Sequence, residues 1–165
     1  KLIALTAPGI PDVYQGTEFW EDSLVDPDNR RPIDYSVRRD ELAAVLHPET
    51  ASHPKCLLNN KFQVVRAALQ LRRERPDTFL TGGYRPVLAA GAAAEHIVSF
   101  LRGEDVLVAV SRWTVRLADN GWGEAALTVP DGTWTDVLTG AVYRGQVPAD
   151  ELFDALPVAL LARGR

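Results

Sequence analysis

After Tyr84 the chain changes character in a way that leaves few folds open. HIVSFLR, VLVAVSR, EAALTVP, WTDVL, AVYRGQV and PVALLAR follow one another, each alternating or continuously apolar, and the turn signals GED, DNGWG, PDG and TG fall between them. Each run has the length of a strand, and glycine beside aspartate or asparagine supplies tight reversals. Short strands at such spacing predict an antiparallel sandwich or barrel over 82–165.

The first half is patterned differently. KLIALTAP is predicted to be the end of a buried helix stopped by Pro8 and Gly9. IPDVYQG, Ile10 to Gly16, is predicted to be a short buried strand; its length and the flanking breakers favour a strand where periodicity does not decide. From Thr17 to Pro32 the chain is polar and turn-rich, a length at which loops are usually functional or disordered. IDYSVRRDELAAVL is expected to be a helix, with Asp34 or Ser36 as N-cap and Leu42, Val45 and Leu46 on one face. HPETASHPK has the character of a linker. NKFQVVRAALQLRRERP is the clearest helix, with a Phe62, Val65, Leu69 stripe widened by Val64, Ala68 and Leu71 and ended by Pro76. Arg72, Arg73 and Arg75 then complement the negative end of its dipole.

The 165 residues suffice for one ordinary domain, or for a small one carrying a piece of another. Hydrophobic residues make up 46% and charged residues 24%, which is globular usage. A net charge of -4 gives no basic field for nucleic acid or an anionic membrane, and favours a neutral ligand. Cys56 is the only cysteine, so an internal disulfide is impossible and a reducing, cytoplasmic setting is expected. No apolar run is long enough to span a bilayer, and the N-terminus carries no signal-peptide pattern. The sequence has no methionine and begins at Lys1 inside apolar structure, as expected of a piece of something longer.

PGIPDVYQGTEF followed by LVDPDNRRPIDY resembles the α-amylase family of glycoside hydrolases and transglycosidases. The first segment looks like the family's eighth barrel strand. NKFQVVRAALQLRRERPDTFLTGGYRPV looks like its closing helix and the entry into its C-terminal β-sandwich. YQGTE, where many amylases carry a second tyrosine, AEHIVSFLR, WTDVLTG and the ending LPVALL are similar to the members that rearrange maltooligosaccharides intramolecularly. These segments lie in matching order over nearly the whole chain. WGEAALTVP departs from the pattern, where an acidic residue and threonine would follow the glycine.

The resemblance implies an α+β fragment: the last strand and helices of a (β/α)8 barrel over 1–81, then an antiparallel C-terminal β-sandwich over 82–165. It also implies an activity, conversion of the reducing-end α-1,4 bond of a maltooligosaccharide into an α,α-1,1 bond with retained configuration. Retention requires a carboxylate nucleophile and a carboxylic acid about 5 to 5.5 Å apart across the scissile bond. In the family these come from earlier barrel strands, and catalytic groups of a barrel come from several strand ends. The chain by itself is therefore expected to be inactive, with no catalytic residue of its own.

What the chain is expected to bring near the chemistry is the loop after the barrel strand. Tyr14 offers a stacking face, Gln15 and Asn29 offer amides to hydroxyls, and Arg30 offers a fork to hydroxyls or carboxylate, with Asp26 beside them. The same loop also suits self-bracing through Asp26, Asp28, Arg30 and Arg31. Glu18, Glu21, Asp22, Asp26, Asp28 and Asp34 are better read as turn-forming acids than as an acid/base pair, because aspartates beside prolines bond their own backbone. Trp113, Trp122 and Trp134 suit either a sugar platform or the core, and isolated tryptophans are usually packing. His47, His53 and His96 are too scattered for a ligand set, so neither a metal nor an organic cofactor is expected. Two rivals stay open: another α-amylase-family enzyme, such as an α-amylase or a 4-α-glucanotransferase, and a glucan-binding module.

Overall fold

The computed structural model describes residues 1–20, 32–46 and 60–164. Its helices are α1 (Leu2–Thr6), α2 (Tyr35–Leu46), α3 (Asn60–Glu74), α4 (Pro76–Leu80), α5 (Thr114–Asn120) and α6 (Ala149–Leu152). Its strands are β1 (Tyr84–Pro86), β2 (Ile97–Arg102), β3 (Val106–Ser111), β4 (Ala126–Thr128), β5 (Trp134–Asp136), β6 (Val142–Tyr143), β7 (Gln146–Pro148) and β8 (Val158–Arg163). Six strands form one sheet in the order β1-β2-β3-β8-β5-β6, and β4 pairs with β7 in a second. Every pairing is antiparallel.

The large sheet is a wall between two cores. Along β2, β3 and β8 the odd positions Ile97, Leu101, Leu107, Ala109, Ala159 and Leu161 enter a cluster with Trp134, Tyr143, Leu127 and Val147. The even positions Phe100, Val106, Val108, Val110, Leu160 and Ala162 enter another with Leu2, Leu5, Val64, Val65, Ala68, Leu71 and Phe79. The period-2 alternation of a strand makes that division. Because both faces are covered, VLVAVS is apolar at nearly every position instead of alternating with polar residues. Each fully buried leucine contributes about 1.5–3 kcal/mol relative to an exposed one.

The expectation of antiparallel strands after Tyr84 therefore holds, but two of its details do not. The region is not all β: RWTVRLADN carries α5, begun at Trp113 in a left-handed conformation (φ 55°) and ended at Gly121, and α6 follows β7. Its turn-like composition hid a helix of two turns. The second sheet, moreover, contains only two short strands.

The helical half holds two corrections. Ile10–Gly16 forms no strand, and Ile10 is 96% exposed. A parallel barrel strand needs hydrogen-bonding neighbours on both sides, and no described strand runs beside this segment. In α3 the face that packs is Val64, Val65, Ala68 and Leu71, while Leu69 is 40% exposed and Phe62 half-buried. Positions 64, 68 and 71 repeat at helical spacing and meet α1 and the sheet, which turns Leu69 outward. The expectation for KLIALTAP holds, with Leu2, Leu5 and Thr6 buried in α1. α2 forms as expected, yet none of its residues is buried, and Leu42 and Leu46 lie exposed. The linker HPETASHPK lies outside the described residues from 47 to 55.

Arginines join the helices to the sheet. Arg102, at the end of β2, is 2% exposed and donates from Nη1 to Thr6 O at 2.8 Å and from Nη2 to Phe79 O at 3.0 Å and Gly82 O at 3.4 Å. Arg72 donates to Leu5 O at 3.0 Å. Their guanidinium carbons lie 4.7 Å (Arg72) and 5.7 Å (Arg102) from the Phe79 ring centroid. These carbonyls end α1 and α4, where the helix leaves acceptors without an internal partner and with partial negative charge. Carbonyl dipoles and an aromatic face thus take the place of a carboxylate. Burial, with the neighbouring Arg72 charge, holds the pKa of Arg102 below its ordinary value. Arg75 ties the end of α3 to the β2–β3 turn, bonding Asp105 Oδ2 at 2.8 Å, Asp105 O at 2.9 Å and Arg163 O at 2.9 Å. The dipole role expected of the basic cluster is thus joined by specific carbonyl contacts from Arg72 and Arg75.

Candidate functional site

The segment after α1 carries the described part of the expected loop. Tyr14 is 44% exposed and Gln15 is exposed, so both side chains are accessible. Their backbone is a turn: the carbonyl of Tyr14 accepts from Thr17 N at 3.1 Å and from Thr17 Oγ1 at 2.7 Å, and that of Gly16 accepts from Phe19 N at 3.2 Å. Gly16 is buried at φ +89°, and a Cβ built there would meet Ile33 Cδ1 at 2.7 Å. Only glycine takes that conformation without strain, which accounts for the break in the apolar run.

Two cations from the helices hold this turn. Arg38 of α2 pairs through Nε with the Glu18 carboxylate, donates from Nη2 to Gly16 O at 3.1 Å and from Nη1 to Asp34 O at 3.0 Å, and lies 4.5 Å over the Phe19 ring. Lys61, at the start of α3, donates to Phe19 O at 2.6 Å and lies 5.2 Å from the Trp20 ring centroid. Phe19 meets Phe62 edge-on at 5.4 Å. Trp20, at the end of this segment, is 76% exposed and is a further accessible aromatic group. Of the six acids, the two that are described act as a partner, Glu18, and as a turn-former, Asp34. Asp34 caps α2, accepting at Oδ1 from Ser36 Oγ at 2.6 Å, Ser36 N at 2.9 Å and Val37 N at 3.3 Å. Those bonds, led by the Ser36 hydroxyl, hold its pKa below the ordinary carboxylate range.

Asp26, Asn29 and Arg30 lie outside the described residues, as do Glu21, Asp22 and Asp28. Tyr14 and Gln15 are adjacent on the exposed turn. Arg38, Lys61 and Trp20 were not singled out by the sequence; the aromatic run FW beside the turn was the available signal for Trp20, while the two cations act from helices 20 or more residues away and left none.

The tryptophans of the β region form no exposed row. Trp134 is fully buried and donates from Nε1 to Pro130 O at 2.7 Å, and Trp122 stacks on Phe153 at 5.0 Å. Trp113 alone of the three is exposed, at 49%, under the Arg112 guanidinium. Among the described residues no group of His, Cys, Asp and Glu is arranged to hold a metal, and no helix is long and apolar enough to cross a membrane.

No protein-family model matches the chain. A Mycobacterium tuberculosis (strain H37Rv) protein assigned the name maltooligosyl trehalose synthase is 58% identical over 163 residues, 99% of this chain and 20% of that protein. The chain is like one fifth of a maltooligosyl trehalose synthase. The solved maltooligosyltrehalose synthase of Arthrobacter ramosus superposes with a TM-score of 0.85 at 42% identity, over 99% of this chain and 21% of that one. The Sulfolobus tokodaii structure titled a hypothetical maltooligosyl trehalose synthase gives a TM-score of 0.66 at 28% identity, over 98% and 19%. Identity of this order over the whole chain carries the likeness through the turn, the helices and both sheets together.

Proposed function

We propose that the chain is the C-terminal part of a maltooligosyl trehalose synthase. The parent converts the reducing-end α-1,4 bond of a maltooligosaccharide into an α,α-1,1 bond by intramolecular transglycosylation, a step of trehalose biosynthesis in the cytoplasm. The observation that carries this reading is the 58% identity running over 163 of the 165 residues. In the parent, 1–81 completes a (β/α)8 barrel, with the segment before Gly16 beside its last strands, and 82–165 is the C-terminal β-sandwich that braces it. Tyr14 and Gln15, with Asp26, Asn29 and Arg30, contact the sugar. The nucleophile and acid come from the rest of the parent, and the chemistry asks for no cofactor or metal.

Incubating the parent with maltopentaose tests this. A non-reducing isomer of unchanged mass is the expected product. Glucose and maltose would instead mark an α-amylase, and a ladder of longer and shorter oligomers a 4-α-glucanotransferase. The 165-residue chain alone is expected to yield no product. Calorimetric titration of the chain with maltopentaose is expected to show no saturable binding at millimolar sugar, since only one of the three β-region tryptophans is exposed; saturable binding would favour a glucan-binding module.

A further inference from the structure

Arg38 reaches several partners at the candidate site at once. One guanidinium reaches the Glu18 carboxylate, the Gly16 and Asp34 carbonyls and the Phe19 ring. The side chain is 15% exposed, and Glu18 is 18% exposed. A planar fork with five donors suits such divided duty, and an ammonium does not. All three of its partners in the 14–19 turn lie just beyond Tyr14 and Gln15, which are exposed and free to meet a ligand. Among the described residues no strand runs beside the turn to order it. Its two internal backbone bonds, Thr17 N to Tyr14 O and Phe19 N to Gly16 O, leave the Gly16 carbonyl shared between Phe19 N and Arg38.

We infer that Arg38 is a positioning residue: by holding Gly16 and Glu18 against α2 it fixes the direction in which Tyr14 and Gln15 face a maltooligosaccharide. This rests on the proposed function for the ligand, but the hold on the turn does not. Arg38 touches no reacting atom. Its effect falls on contacts made alike in ground and transition states, so it acts on KM more than on kcat.

The test compares Arg38→Met, Arg38→Lys and Glu18→Gln in the parent enzyme with maltopentaose, and follows backbone amide exchange in the 165-residue chain. For Arg38→Met, KM is expected to rise about tenfold with kcat within about twofold. Arg38→Lys is expected to recover part of the loss, and Glu18→Gln, which keeps the Gly16 contact, is expected to lose less than Arg38→Met. Thr17 and Phe19 amides exchange faster in Arg38→Met while Val108 and Leu161 in the sheet do not change. A merely structural role would instead lower the folded fraction, reducing apparent kcat at constant KM and speeding exchange throughout. Unchanged KM in Arg38→Met, or Thr17 and Phe19 amides exchanging no faster in it, overturns the inference. Absence of the non-reducing isomer from the unsubstituted parent would sink the proposed function instead, and the exchange comparison would still decide whether Arg38 holds the turn.

Discussion

Replacing Arg102 by methionine tests how α1 and α4 are fastened to the sheet. The side chain is 2% exposed, and its two shorter bonds, 2.8 Å to Thr6 O and 3.0 Å to Phe79 O, are charge-assisted. Such bonds contribute about 1.5–3 kcal/mol each, and the 3.4 Å contact to Gly82 O adds little. Losing both removes about 3–6 kcal/mol and leaves two helix-end carbonyls without a donor. Against this, methionine relieves the desolvation of a cation that has no carboxylate partner among the described residues and whose Nε is buried unbonded. The net expectation is a loss of about 2–4 kcal/mol, or about 5–15 °C in Tm for a chain of this size. Arg102→Lys, able to reach one carbonyl well, should lose about half as much. Urea unfolding followed by far-UV circular dichroism measures both. A methionine variant within about 0.5 kcal/mol of the parent sequence, or more stable than it, would show that the sheet contacts of α1 and α3 suffice and that the carbonyl bonds merely offset desolvation.

Asp136 is 1% exposed, accepts from Leu138 N, Leu160 N and Thr139 Oγ1, and has its pKa raised above 3.8 by burial. With the folded pKa above the unfolded one, stability falls as pH rises from about that value through the folded pKa; Asp136→Asn should therefore gain on the parent sequence over that window, in thermal melts run at stepped pH. Asp136→Ala leaves the Leu138 and Leu160 amides without this acceptor and should cost about 2–4 kcal/mol at low pH, and less as pH rises through the same window. Gly16→Ala should cost about 1–3 kcal/mol, because φ is +89° and the new Cβ meets Ile33, with the loss read as a lower Tm. Trp134→Phe leaves Pro130 O unpaired and a void in the core, so about 2–4 kcal/mol should be lost, together with the most blue-shifted part of the tryptophan emission.

The parts of the fold that the sequence made legible are those fixed by local pattern. The β2–β3 turn at GED, the stop of α3 at Pro76, the cap at Asp34 and the burial of Leu2 and Leu5 all follow from residues a few positions apart. What stayed hidden depends on distant partners. IPDVYQG has strand composition but lacks strand neighbours among the described residues, and composition cannot report a missing neighbour. Leu69 and Ala68 share α3, and only the position of α1 decides which of them is buried. The candidate site was half legible: the turn around Gly16 stood out through its breakers, whereas Arg38 sat in a helix that looked like ordinary amphipathic sequence.

The two-faced sheet also bears on how its strands find their register during folding. In most antiparallel sheets a slip of one residue turns apolar side chains to water, and that cost enforces the pairing. Here Val106–Val110 would exchange one dry face for another, so hydrophobicity alone penalises a slip weakly. The polar residues at the strand ends must act as index marks. Arg102 opposite Val106, and Asp105 against Arg75 and Thr78, match their partners in one alignment only. Shifted by one residue, the buried guanidinium would turn away from both helix ends, so misregistered chains would be culled by unsatisfied charge and not by exposed oil.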